Sequence, residues 1–181
     1  MTRSMMKRIG LILALAALAA GCSACAALLG SERTDMVNDS VFELQIHTDK
    51  DEYTTADAIS CYATLEYMGG ADSITINSGE PLVYFTIKGG LFKGDYTVSS
   101  ALKPTTLNKG DSQKFDFVKS GGYNRNDANA AFWKSWFADP ELKLPAGDYT
   151  ISATVSGRFE GSNAKDPAYT LTASKDITVT Q

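Results

Sequence analysis

The chain has 181 residues, 44% hydrophobic and 21% charged, which suits one folded domain with a targeting segment and excludes wholesale disorder. Its formal charge is -4, but three of the 17 basic residues, Arg3, Lys7 and Arg8, lie in positions 1–21 where no acid occurs, leaving 14 basic against 21 acidic residues, a net of -7. A surface this acidic offers no footprint for nucleic acid or for an anionic membrane face.

At the N-terminus, Lys7 and Arg8 form a positive region and Ile9 to Ala20 an apolar one. Small residues Ala19, Ala20 and Gly21 then precede Cys22, which is the order of a secretory signal. "LAAGC", Leu18 to Cys22, resembles a bacterial lipobox, although that family prefers Leu where this chain has Ala19. The resemblance implies that residues 1–21 are a lipoprotein signal peptide, and that Cys22 takes a diacylglyceryl group on its thiol and becomes the new N-terminus. Acyl chains contribute about 0.8 kcal/mol per buried CH₂, so two or three hold a protein stably at a bilayer. Two other readings stand beside this one. Ile9 to Gly30 is uncharged for 22 residues, long enough for an uncleaved transmembrane helix, though its second half is rich in Ala, Gly, Ser and Cys. Alternatively Cys25 is the lipidated residue, with Cys22 then standing where the family has Leu. Of the three cysteines, Cys61 alternates in phase with Ile59, Ala63 and Leu65, which predicts a buried, inert thiol.

Residues 22–40 are assigned to the lipidated N-terminus and a tether, because Gly30 to Ser40 is polar and aperiodic. From Val41 to Gln181 the period is two. Phe42, Leu44 and Ile46 alternate with polar residues, as do Ile59, Cys61, Ala63, Leu65 and Tyr67. Shorter runs follow at Ile74 and Ile76, at Val83, Phe85 and Ile87, and at Phe115 and Phe117. The last two begin at Tyr149 and Tyr169. Alternation gives each strand one buried and one wet face, and Gly-rich breaks separate the runs. This predicts an all-β domain over 41–181, an immunoglobulin-like antiparallel β-sandwich of about seven to eight strands. The connections hold no crossover helices, which excludes a parallel α/β sheet.

One segment breaks the pattern. "NDANAAFWKSWFADP", Asn126 to Pro140, starts with capping residues and ends before proline, which predicts a short inserted helix. Phe132, Trp133, Trp136 and Phe137 fall on one side of it, as a plug for the open end of the core would require.

"LPAGDYTISATV", Leu144 to Val155, resembles the Gly-x-Tyr turn of immunoglobulin-like and fibronectin-like sandwiches, and implies that Tyr149 is a tyrosine corner; a plain core tyrosine fits the residues equally well. "DEYTTADAISCYATLEYMGG", "NSGEPLVYFTIKGG", "LNKGDSQKFDF" and the Gly-Asp-Tyr strand, in that order, resemble the bacterial intracellular proteinase-inhibitor (BsuPI) domain, itself an immunoglobulin-like sandwich. The chain departs from that family in its Trp-bearing insert and in Met68-Gly69-Gly70, where the family has an Asn-x-Gly turn. The fold carries over, and no reactive-site residue can be matched.

Catalytic chemistry is thinly supplied, and no catalytic residue, metal site or cofactor is expected. The one histidine, His47, sits at an outward position and reads as part of a solvated face. "NRNDAN" lacks the glycine and glutamate of an EF-hand, and "HTDKDEYTTAD" reads as turns and caps rather than a calcium cage. Tyr123, Trp133 and Trp136 are the candidate contact residues, able to stack on sugar rings or anchor a protein partner if they are not simply core. The expectation is a lipid-anchored, extracytoplasmic, non-catalytic binding or accessory module of the bacterial cell envelope. Its partner would be an envelope protein or a glycan. An inhibitor of an envelope protease and a glycan-binding module using the Trp helix are the alternatives.

Overall fold

A computed structural model describes residues 33–163 and 165–181. The segment read as a signal peptide, Cys22, Cys25 and the first part of the expected tether lie outside the described residues. Along the chain run β1 (Arg33–Asn38), β2 (Phe42–Thr48), β3 (Glu52–Thr54), β4 (Cys61–Tyr67), β5 (Ser73–Ser78) and β6 (Val83–Gly89). After them come β7 (Phe92–Lys93), β8 (Lys103–Asn108), β9 (Ser112–Asp116), helix α1 (Ala130–Ala138), β10 (Gly147–Phe159) and β11 (Tyr169–Thr180).

The expected all-β sandwich with one short helix is what these elements build. One sheet has the order β1-β2-β4-β9 and is antiparallel throughout. The other is organised on β10, which pairs with β11 along its length. On its opposite edge β10 pairs first with β6, from Thr150 to Val155, and then with β5 at Arg158 and Phe159. The change of partner needs a close approach: a Cβ on Gly157 would lie 2.7 Å from the Asn77 carbonyl oxygen. β8 extends the sheet beyond β5, and β7 pairs with β6.

Alternation in the sequence becomes burial in the fold. Phe42, Leu44 and Ile46 of β2 point inward with Ala63, Leu65 and Tyr67 of β4, and the register sets Leu44 opposite Leu65. From the second sheet, Tyr149, Ile151, Ala153 and Val155 meet them, with Ile151 opposite Ile87 and Ala153 opposite Phe85. Each large apolar side chain so buried contributes about 1.5–3 kcal/mol. Cys61 belongs to this core, and burial, aided by the Asp49 charge, pushes its thiol up to about 12.

Three expectations are corrected. The described residues hold eleven strands rather than seven or eight, because β1, β3, β7 and β8 carry too little alternation to show in the sequence. One pairing is parallel, β3 with β11, over three residues. Residues 33–38, read from the sequence as tether, form the edge strand β1, whose one half-buried apolar residue is Val37.

That strand also overturns the reading of His47. With β1 on its flank, β2 is no longer an edge, and His47 is 8% exposed. The imidazole stacks on Tyr62 with centroids 4.4 Å apart, while Thr34 Oγ1 lies 2.9 Å from Nδ1 and Thr64 Oγ1 3.1 Å from Nε2. The adjoining acidic stretch does form turns. Asp49 Oδ1 accepts from the Tyr53 hydroxyl and the Ser60 N–H, and Asp57 Oδ2 accepts from the Thr54 N–H.

Candidate ligand groove

The site is built from three segments that reach the same end of the sandwich. The first is the turn from β6 into β7. Gly89, at φ +131°, lies so close to β10 that any Cβ there would strike the Asp148 carbonyl oxygen. This turn delivers Phe92 beneath α1. The second segment is the chain leaving β9: the Phe117 N–H donates to the Cys61 carbonyl, and the Phe117 ring packs 5.4 Å from Phe85. The third is α1 with the turns before it.

Those turns explain why the helix is shorter than predicted. Asn124 Oδ1 accepts from the Asn126 N–H at 2.9 Å, and Asp127 Oδ1 from the Asn129 N–H at 2.7 Å. Asn and Asp side chains compete with the helix for nearby backbone donors. The helix therefore starts only at Ala130, and its N-cap residue Asn129 makes no side-chain capping bond. At the other end Lys119 acts as a clamp. Its Nζ donates to the carbonyls of Trp136 at 2.6 Å and Asp139 at 2.7 Å, and lies 4.4 Å from the Trp136 ring centroid. A cation at a helix C-terminus complements the unpaired carbonyls there. Burial lowers the pKa of this ammonium, against the raising effect of the Asp139 carboxylate and with a further lowering from Lys143.

Phe92 is the hub of the aromatic cluster. Trp133 stands 5.1 Å from it at 87°, Trp136 5.2 Å at 64° and Tyr149 5.9 Å at 78°, all edge to face. That geometry is the favoured one for aromatic rings. Tyr149 is itself held as a tyrosine corner, its hydroxyl donating to the Pro145 carbonyl at 2.9 Å. No residue of α1 is fully buried; Phe132, Trp133, Trp136 and Phe137 are all half-buried on its inner side. Between α1, the β6–β7 turn and residues 117–124 runs a groove of about 420 Å³.

Tyr123, Trp133 and Trp136 all line this groove, but they differ in what they are free to do. Trp136 belongs to the frame: its indole N–H donates to the Lys143 carbonyl at 3.2 Å, and Lys119 sits over its ring. Trp133 is held only by ring contacts, and among the described residues its indole N–H meets no protein acceptor. Tyr123 is 37% exposed and lies near-parallel to Phe137 at 6.1 Å. Sequence reasoning missed Phe92, Lys119 and Asp95. An aromatic two residues after the Gly89-Gly90 turn was the signal for Phe92; nothing local marked the other two.

The groove can hold a small ligand by stacking and hydrogen bonding. Asp95, Asp127, Asn124 and Asn129 supply its polar rim, with Lys93 the basic residue among the lining. The lining contains neither the histidine nor a cysteine. The chain matches no protein-family model, and no curated protein matches it.

Proposed function

We propose that this protein is a lipid-anchored binding module held outside the cytoplasm, and that the aromatic groove beside α1 is where it takes its ligand. The observation that carries the reading is the groove itself. Rings from three separate segments converge on a cavity of ligand size, over a frame tied by Lys119, Trp136 and the Tyr149 corner. A binding rather than a catalytic role is supported by the histidine, which is engaged with Thr34, Tyr62 and Thr64 away from the groove. The anchor rests on the lipobox-like Leu18 to Cys22 and on the chemistry of a thiol at that position.

Two measurements on the full chain in a bacterial host test this. Wild type should incorporate labelled palmitate, and Cys22→Ser should not; equal labelling of both refutes the anchor. A photoreactive phenylalanine analogue at position 123 should give adducts that disappear with Trp133→Ala. The same analogue at the exposed position 160 should not. Equal labelling from both positions means that the groove is not the ligand site.

A further inference from the structure

The chemistry of the groove is mixed in a way that selects among ligands. Its rings provide flat apolar faces, which suit the C–H face of a pyranose. The rim provides what the hydroxyl edge of a sugar needs. Asp95 has no intramolecular hydrogen bond or ion pair among the described residues, and the Asn129 side chain is left free of capping. Asn124 and Asp127 each commit one side-chain oxygen to a local turn, which leaves the Asn124 amide nitrogen and the second Asp127 oxygen available. Gly121 and Gly122 make one wall from bare backbone, with nothing within 4 Å of where their Cβ atoms would stand. Two carboxylates against the one lysine of the lining, on a chain of net charge -7 beyond residue 21, disfavour an anionic ligand.

Position in the fold narrows the source. Arg33, where β1 begins, is opposite Thr48; Thr48 is opposite Cys61; and the Cys61 carbonyl bonds Phe117 in the groove wall. The chain therefore joins the domain at the same end that carries the groove. Residues 23–32 reach at most about 36 Å when fully extended. With Cys22 as the anchor, the groove works within a few nanometres of the bilayer.

Resting on the groove being the ligand site, we infer that it binds an uncharged hexose-containing glycan at the membrane face. Such a sugar is presented either as the headgroup of a glycolipid or as the near end of an envelope polysaccharide. The chemistry recognised is the same in both: one sugar ring stacked on Trp133 and Tyr123, its hydroxyls hydrogen-bonded to Asp95 and Asn129.

Both tryptophans of the chain lie at the groove, so intrinsic fluorescence reports directly on it. The full-length protein in a zwitterionic detergent without a sugar headgroup is titrated with maltotetraose, cellotetraose and chitotetraose. It is then inserted into phosphatidylcholine vesicles with or without monoglucosyldiacylglycerol. A saturable emission change is expected with at least one soluble sugar or with the glycolipid vesicles, and the responding arm identifies the source. Asp95→Asn should weaken it about tenfold, the loss typical of a charged hydrogen bond, while leaving thermal unfolding unchanged. An equal response to plain phosphatidylcholine vesicles would show bilayer contact instead of sugar recognition and overturn the inference. So would silence in every arm while position 123 still cross-links a partner; the groove would then remain the ligand site, with a ligand that is not a sugar.

Discussion

At the end of the sandwich away from α1, Phe42, Tyr67, Phe159 and Tyr169 meet with ring centroids between 5.0 and 6.1 Å apart. At the α1 end, Phe92, Trp133 and Trp136 pack at similar spacings of 5.1 to 6.0 Å. The first cluster is closed. Phe42 is fully buried, and Asp39 seals the turn above it by accepting from the N–H groups of Val41 and Phe42 and from the Tyr169 hydroxyl. The second is open, because α1 lies on the rings without a fully buried residue of its own and leaves a groove beside them. Aromatic rings packed at similar spacings thus produce a piece of core at one end and a candidate site at the other. What differs is where a polar residue ties the covering segment down: Asp39 seals the turn over Phe42, whereas Lys119 holds only the C-terminal end of α1, at Trp136.

The comparison breaks most visibly at Phe42. Phe42→Ala should destabilise the domain by about 3–5 kcal/mol, the cost of emptying a core site, measured by urea unfolding under circular dichroism. A loss as small as that of a surface substitution would mean that this end is not closed. Next comes Lys119→Met, which removes two charge-assisted bonds to the end of α1. A loss of about 2 kcal/mol is expected, concentrated in faster amide exchange of residues 130–138 with β10 and β11 little affected.

Trp133→Ala should cost less than half of what a fully buried tryptophan costs, about 1–2 kcal/mol, while abolishing ligand-dependent cross-linking at position 123. A destabilisation as large as that of Phe42→Ala would make Trp133 core and close the contrast between the two ends. Tyr149→Phe leaves the ring in place and removes its bond to the Pro145 carbonyl, for about 1 kcal/mol in the same urea assay.

The smallest effect sharpens the closed end through pH. Burial alone would raise the Asp39 carboxyl, but the N–H groups of Phe42 and Val41 and the Tyr169 hydroxyl outweigh it and hold the group below its ordinary 3.8. A carboxyl lowered on folding contributes stability in full above its unfolded pKa and loses it as pH falls through the folded one. Wild type should therefore lose stability below about pH 4 more steeply than Asp39→Asn, with the curves parallel at neutral pH. Parallel curves throughout would show that Asp39 does not seal the turn.

Legibility in the sequence followed burial. β2, β4 and β10 were plain because their apolar side chains alternate into the core at Phe42, Leu44 and Ile46, along the whole of β4, and from Tyr149 to Val155, and that regular demand writes itself into the residues. β8 was silent because it holds Pro104 and buries only Leu107, and β1 because its neighbour β2 supplies the apolar face. Missing β1 turned His47 into a surface residue in the reading, although Thr34 arrives to cover it from thirteen residues away. In the groove, Tyr123, Trp133 and Trp136 were visible as a concentration of aromatics. The division of labour between the two tryptophans was not, since Lys119 and Lys143 choose Trp136 by position in space.

By itself the sequence determined that the domain is an all-β sandwich with one short aromatic helix, since alternation, glycine breaks and helical spacing are local constraints that each residue obeys with its near neighbours. The tertiary structure decided which aromatic cluster is sealed and which is open. Phe92 comes to lie under Trp133 only because β6 pairs with β10 and α1 is pinned beside them, and contacts across such distances along the chain leave no periodic trace in it.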